Sequence, residues 1–262
     1  MASSDKLLVK LENGIKRITI NRPERRNSVD TETTVLLHEE IQRSAEDKSR
    51  VLILTGAGDA FCAGADLQAT SEQDIKSFDV TAALRSRTNP TIVAMRRLAK
   101  PIIARIHGPA VGVGCNYALA CDMLIASEQA KFGQVFVKIG LMPDGGSTYF
   151  LPRIVGYAKA FELMATGDLI SAQDALALGM VNRVVAVEEL DSAVDQLASR
   201  LAAAPGIALA KIKEGLNGGE TSDLATALEF EAINQQACFH SDDFVEGVKA
   251  FLEKRKPNFQ GK

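Results

Sequence analysis

A chain of 262 residues, 46% of them hydrophobic, is long enough to bury a substantial core. Its 30 basic and 33 acidic side chains leave a formal charge of −3 with no basic block, which argues against nucleic acid as the main partner. No run approaches the roughly 18 apolar residues of a membrane span and Met1 to Lys6 lacks an apolar signal core, so the expectation is a soluble cytoplasmic protein with no membrane partner.

Lys6 to Leu11 and Ile15 to Ile20 alternate apolar and polar residues around Asn13-Gly14, which predicts a β-hairpin. Thr31 to Ala45 reads as an amphipathic helix with Val35, Leu36 and Ile41 on its apolar side. Val51 to Leu54 is a short buried strand. Phe61-Cys62-Ala63-Gly64-Ala65-Asp66-Leu67 then passes from strand to helix start, and the polar stretch Thr70 to Pro90 suits a loop or short helices rimming a pocket. Ile92 to Ala99 is helical up to Pro101, Ile102 to Ile106 is a strand, and Gly108 to Gly112 leads into an apolar helix over Val113 to Ala120. Met123 to Ala126 is the next strand.

Short apolar strands alternating with helices define an α/β class with buried, largely parallel strands. After Val185 the pattern turns helical, over Glu188 to Ala203, Leu224 to Gln236 and Asp242 to Lys254, with Ser241 as an N-cap. The expected division is a core over 1–187 and a helical C-terminal subdomain over 188–262. Cys62, Cys115, Cys121 and Cys238 have no Cys-x-x-Cys spacing and apolar neighbours, as reduced buried thiols do. His38, His107 and His240 are scattered, so no metal site is expected. Neither a Gly-x-Gly-x-x-Gly between strand and helix nor a Gly-Lys-Ser/Thr is present for a nucleotide.

Three features carry chemistry. Gly64-Ala65 and Gly112-Val113 stand at helix starts, where free N–H groups attract negative charge. Asp144, in Leu141-Met142-Pro143-Asp144-Gly145-Gly146-Ser147, is a lone carboxylate beside a glycine pair. Each has an ordinary explanation too: a glycine before a helix serves tight packing, and an aspartate before Gly146 serves as a helix cap.

Taken together and in order, these segments resemble the crotonase superfamily, the enoyl-CoA hydratase and isomerase family. The resemblance runs through Ile20-Asn21-Arg22-Pro23, Phe61 to Leu67, Ile106 to Asp122, Ala130-Lys131-Phe132-Gly133, Ile139 to Ser147, Leu151 to Gly156, Ala172 to Ala175, Leu178 to Val181 and Glu253 to Lys256. It implies a spiral of repeated ββα units with a helical C-terminal part that builds trimers, often paired into hexamers. It also implies an acyl-CoA substrate, with coenzyme A as part of the thioester, and no other cofactor and no metal.

By position, the resemblance makes the amides of Ala65 and Val113 the oxyanion donors, Val113 replacing the family's usual glycine. It places CoA along Ala63, Ala65, Asp66, Leu67 and Gln68. Arg25 and Arg26 are candidate phosphate contacts, with an equal reading as solvated loop charges, and Phe251 and Lys254 match positions that reach the CoA of a neighbouring subunit. Asn116, Phe136, Leu141 and Tyr149 are expected around the acyl group.

The departures narrow the chemistry. Hydratases of the family carry glutamates where this chain has Asn116 and Phe136, and neither side chain can move a proton to or from water. Asp144 stands where isomerases carry a single carboxylate. The reading is therefore an isomerase shifting a double bond from a 3-enoyl-CoA to a 2-enoyl-CoA, or isomerising a ring acyl-CoA, with the pKa of Asp144 raised by burial among Leu141, Met142 and the acyl pocket. The alternatives are a hydratase or another acyl-CoA enzyme of the family (dehalogenase, hydrolase or decarboxylase). A catalytically silent or RNA-binding relative is the alternative of another class. Family dehalogenases use a tryptophan, and this chain has none.

Overall fold

The chain is described as a computed structural model over residues 5–67, 76–219 and 221–261. Strands β1 (Leu7–Glu12) and β2 (Ile15–Ile20) form the expected hairpin, with Asn13 and Gly14 at φ 51° and 76°. Both values lie in the left-handed region that a tight hairpin turn requires. From β2 onward the main sheet is parallel: β3 (Val51–Gly56), β4 (Ile102–Ile106), β6 (Met123–Ser127) and β9 (Arg183–Val185) add in the order β1-β2-β3-β4-β6-β9.

A second, smaller sheet contains β5 (Pro109–Val111), β7 (Lys131–Gly133) and β8 (Ile170–Ser171). Cys62 joins it through a parallel bridge to Ala110. Residues 51–62, β4 with β5, and β6 with β7 thus each give one strand to the main sheet and one short extended piece to the second, which is the winding of a ββα spiral. The short pieces are too brief to show periodicity, so the sequence does not announce them as strands.

The strands read as continuous apolar runs because both faces of the sheet are covered. Leu52 and Leu54 face the main core with Ile102, Ala104 and Tyr117, whereas Val51 and Ile53 face Leu190, Val194, Ala198 and Leu201 of a C-terminal helix. Each such fully buried aliphatic side chain contributes about 1.5–3 kcal/mol.

The helices are α1 (Thr31–Arg43), α2 (Val80–Ala83), α3 (Asn89–Arg97), α4 (Val113–Ala120), α5 (Ser147–Val155), α6 (Tyr157–Thr166) and α7 (Ala172–Ala177). They continue with α8 (Leu190–Ala202), α9 (Gly206–Gly219), α10 (Leu224–Phe239) and α11 (Asp242–Leu252). Asp30 caps α1 by accepting from Thr33 N at 2.8 Å. Of the expected apolar side of α1, Ile41 is buried and Leu36 packs against the core, but Val35 is not buried. Thr33, Thr34, Leu37 and Glu40 are buried with Ile41 while Val35 is 38% exposed, and the buried Glu40 is paired with Lys16, which also reaches Ser44.

The expected division at 187/188 falls just before α8, and α8 lies on the main sheet as part of its packing. Ser241 caps α11 as expected, accepting from Phe244 N at 3.1 Å. Part of the Thr70 to Pro90 stretch lies outside the described residues. Its later part forms α2, which runs through a π-helical turn at Leu84–Thr88 into α3.

Candidate active site

Two glycine turns are brought side by side where the spiral stacks one repeat on the next. Phe61 N and Cys62 N donate to Pro109 O at 3.1 and 3.0 Å, and Val111 N donates to Cys62 O at 2.9 Å. Gly64 has φ 101° and Gly112 φ 57°. A Cβ on Gly64 would lie 3.1 Å from Val111 O, and one on Gly112 would lie 3.8 Å from Gly64 Cα. The turns touch backbone to backbone: a Cβ on Gly64 would crowd Val111, and both glycines take the positive φ that other residues rarely adopt.

This contact sets the donors. Val29 N donates to Gly64 O and Asp66 N to Val29 O, so the strand-like pairing uses the groups on either side of Ala65 and leaves its N–H out. Val113 opens α4, where a first-turn N–H has no intrahelical acceptor. Among the described residues neither amide donates to a protein acceptor. Two unengaged N–H groups on touching turns can meet an oxyanion together.

The Asp144 loop closes against the second turn. A Cβ on Gly145 would stand 3.4 Å from both Val113 Cγ2 and Asn116 Nδ2, and Gly145 and Gly146 take φ 55° and 84°. A Cβ on Gly146 would come within 2.7 Å of the Phe150 ring, so the pair is demanded by conformation and by space. Helix α5 is capped by Gly146 with no side-chain cap bond, so the Asp144 carboxylate does not serve as its cap. No hydrogen bond to that carboxylate forms among the described residues, and burial alone raises its pKa above the usual aspartate value. The expected source of that burial is corrected. Leu141 and Met142 are 50% and 73% exposed, and the buried Tyr117 lies close enough for the two groups to interact electrostatically.

Asn116 is fully buried, with its amide committed to protein partners instead of facing an open pocket: Nδ2 donates to Asp144 O at 2.8 Å, and Oδ1 accepts from Gln134 Nε2 at 2.7 Å. The Phe136 ring lies over Gly112, within 3.8 Å of where a Cβ there would stand. Tyr149 packs edge-on to Phe150, and the Arg153 guanidinium covers its ring at 3.7 Å.

A cleft of about 450 Å³ borders the first donor and is lined by Arg25, Arg26, Ala63, Ala65, Asp66 and Leu67, with Glu24 and Ser28. Six residues expected along CoA are therefore neighbours in space. The Asp66 carboxylate is held by Arg22 at 2.7 Å. Gln68 lies outside the described residues. Phe251 and Lys254 stand at the end of α11, outside the lining of this cleft, with Phe251 82% exposed.

Three supporting residues escape a reading of the sequence by charge and spacing. Arg22 also donates to Ser28 O at 2.5 Å. Asn27 accepts from Arg22 N and donates to Ala57 O and Ala60 O, fixing the loop before Phe61. Gln134 is a buried amide in an otherwise apolar run between Phe132 and Phe136, and that contrast was its only signal.

Two unengaged backbone donors on touching turns, a desolvated carboxylate on the loop packed against the second turn and a cleft at the first are the features on which the comparisons bear. The chain belongs to the enoyl-CoA hydratase/isomerase family, whose model matches residues 10–262. It is 40% identical over 258 residues to a 1,2-epoxyphenylacetyl-CoA isomerase of Escherichia coli (strain K12), covering 98% of each chain. It is 37% identical to a crotonyl-CoA hydratase of Syntrophomonas wolfei, covering 98% of this chain and 99% of that one. The crystal structure of an enoyl-CoA hydratase from Bacillus anthracis superposes with a TM-score of 0.91 at 34% identity, covering 98% of this chain and 100% of that one. The crotonase-like fold and family are thereby shown, and relatives of both the isomerase and the hydratase kind are present.

Proposed function

We propose that this protein is an acyl-CoA isomerase with Asp144 as its single base. The carboxylate removes a proton from C2 of a 3-enoyl-CoA, and the electron pair moves into the thioester to give a dienolate. Its oxygen is held by the Ala65 and Val113 amides. The same carboxyl returns the proton at C4, and the double bond comes to rest between C2 and C3. No atom is gained or lost, so one carboxylate suffices.

The observation that carries this reading is the state of the Asp144 side chain: desolvated, uncapped and free of donors that would lower its basicity. Removing a positioned acid or base typically costs about 100- to 10,000-fold in rate, and loss of one oxyanion donor about 100- to 1000-fold. Asn116 and Phe136 offer no second acid or base for water. The same base and donors suit isomerisation of a ring acyl-CoA, a reading supported by likeness to the 1,2-epoxyphenylacetyl-CoA isomerase.

The cleft at Arg25 and Arg26 is read as the CoA site, and the protein as a cytoplasmic homotrimer or hexamer. Its described residues contain no helix long and apolar enough to cross a membrane. The test compares kcat/KM for isomerisation of a 3-enoyl-CoA and of the ring acyl-CoA with that for hydration of crotonyl-CoA. Isomerisation of at least one should exceed hydration by orders of magnitude, whereas dominant hydration would overturn the proposal.

A further inference from the structure

Asn116 and Gln134 occupy the space between α4, the segment after β7 and the Asp144 loop, and their amides point in one direction. Gln134 Nε2 donates to Asn116 Oδ1 at 2.7 Å, and Asn116 Nδ2 donates to the backbone carbonyl of Asp144 at 2.8 Å. That carbonyl also accepts from Ser147 N and Ser147 Oγ, each at 3.1 Å. Asn116 and Ser147 are fully buried and Gln134 is 2% exposed.

The direction is dictated by the carbonyl, which can only accept. Asn116 must present its NH2 to it and therefore its oxygen to Gln134, which must in turn present its own NH2. Gln134 Oε1 is left at the far end of this hydrogen-bond chain without a hydrogen-bond partner among the described residues. A buried amide end without a partner costs free energy, so this arrangement is retained against a local penalty.

From this geometry we infer that Gln134 and Asn116 form a positioning relay that fixes the Asp144 backbone and so aims its carboxylate at the substrate carbon. The inference rests on the reading of Asp144 as the base and assigns a role to the side chain that stands in place of a glutamate. Asn116 is a positioning residue, acting on the base through its main chain. Neither relay member touches the CoA cleft, so the relay governs turnover and leaves CoA binding alone.

The test uses Asn116→Ala, Gln134→Met, Gln134→Glu and the double variant Asn116→Ala/Gln134→Met, with Asp144→Asn as reference. Thermal unfolding and CoA affinity establish that each is folded. The relay requires kcat for isomerisation to fall between about 10- and 100-fold in each single variant, the range of a small misplacement of a reacting group, with CoA affinity unchanged. Once Asn116 is truncated, removing the Gln134 amide should cost nothing further, so the double variant should match Asn116→Ala.

Gln134→Glu should lose at least as much as Gln134→Met, because a carboxylate facing Asn116 Oδ1 turns the asparagine amide and sets its oxygen against the Asp144 carbonyl. A folded Gln134→Met or Gln134→Glu with unchanged kcat would overturn the relay, as would losses that multiply in the double variant. If Asn116→Ala does not fold, the two Gln134 variants decide alone. Asp144→Asn at undiminished kcat would instead overturn the reading of Asp144 as base, and the relay with it. Loss in Asp144→Asn beside full activity in the Gln134 variants would remove the relay only.

Discussion

The chemistry of Asp144 depends on a charge that the fold makes expensive. Burial raises its pKa from the ordinary 3.8, and no donor opposes that shift. In the proposed reaction the ionised form is the base, so activity should be full above the raised pKa and be lost as pH falls through it. The acid limb of kcat/KM for isomerisation should therefore lie above 3.8 and vanish in Asp144→Asn. A limb at or below the ordinary value would contradict the burial argument. Folding responds in the opposite sense: the native state holds its proton at a pH where the unfolded chain has released it, so this group makes stability rise as pH falls from above its raised pKa towards 3.8. Asp144→Asn should accordingly raise Tm at pH 7, read by scanning calorimetry.

Among the secondary-structure elements, helix α9 shows how a C-terminal helix is tied to the spiral. Lys213 is buried and its Nζ donates to Met95 O, Lys100 O and Asp122 Oδ2 at 2.9, 3.2 and 2.8 Å. Asp122 also accepts from Ile102 N, so this one cation joins α9 to the end of α3 and the start of β4. Burial lowers the Lys213 pKa despite the favourable Asp122 charge. Lys213→Met leaves Asp122 without its closest cation and should cost about 3–5 kcal/mol in urea unfolding, with a change below 1 kcal/mol contradicting the assignment.

Elements whose signal is local were legible in the sequence: the hairpin from Asn13-Gly14, β4, α4 and the Ser241 cap. What was hidden depends on partners far along the chain. Glu40 is buried where Lys16, from a strand 24 residues earlier, lies beside it, and the two- and three-residue strands β5, β7, β8 and β9 exist only because neighbouring repeats pair with them. The site followed the same division. The glycine turns and Asp144 were legible as residues, whereas the Gln134 to Asn116 chain required the β7 and α4 segments to be stacked first.

The whole molecule carries apolar surface that a single chain leaves uncovered. Leu216, Leu224, Phe251 and Leu252 on α9, α10 and α11 are between 67% and 82% exposed. Such surface marks association, and the proposed trimer or hexamer would cover it. Sedimentation equilibrium should give the mass of three or six chains; the mass of one would contradict it.

The end of the chain is pinned within its own protomer, since Gln260 N and Gly261 N donate to Asp243 and Arg50 Nη1 donates to Phe259 O. Truncation would therefore disturb folding, and point substitutions are the cleaner probe of the proposed CoA contact. Phe251→Ala with Lys254→Ala should raise KM for acyl-CoA while sparing kcat, and an unchanged KM would remove these residues from the CoA site.

The most direct measurement is kcat/KM of Asp144→Asn for isomerisation of a 3-enoyl-CoA, on protein shown to be folded and to bind CoA as wild type does. A loss of about 100- to 10,000-fold is expected for removal of the sole base, and activity retained within a few-fold would show that Asp144 is not the base.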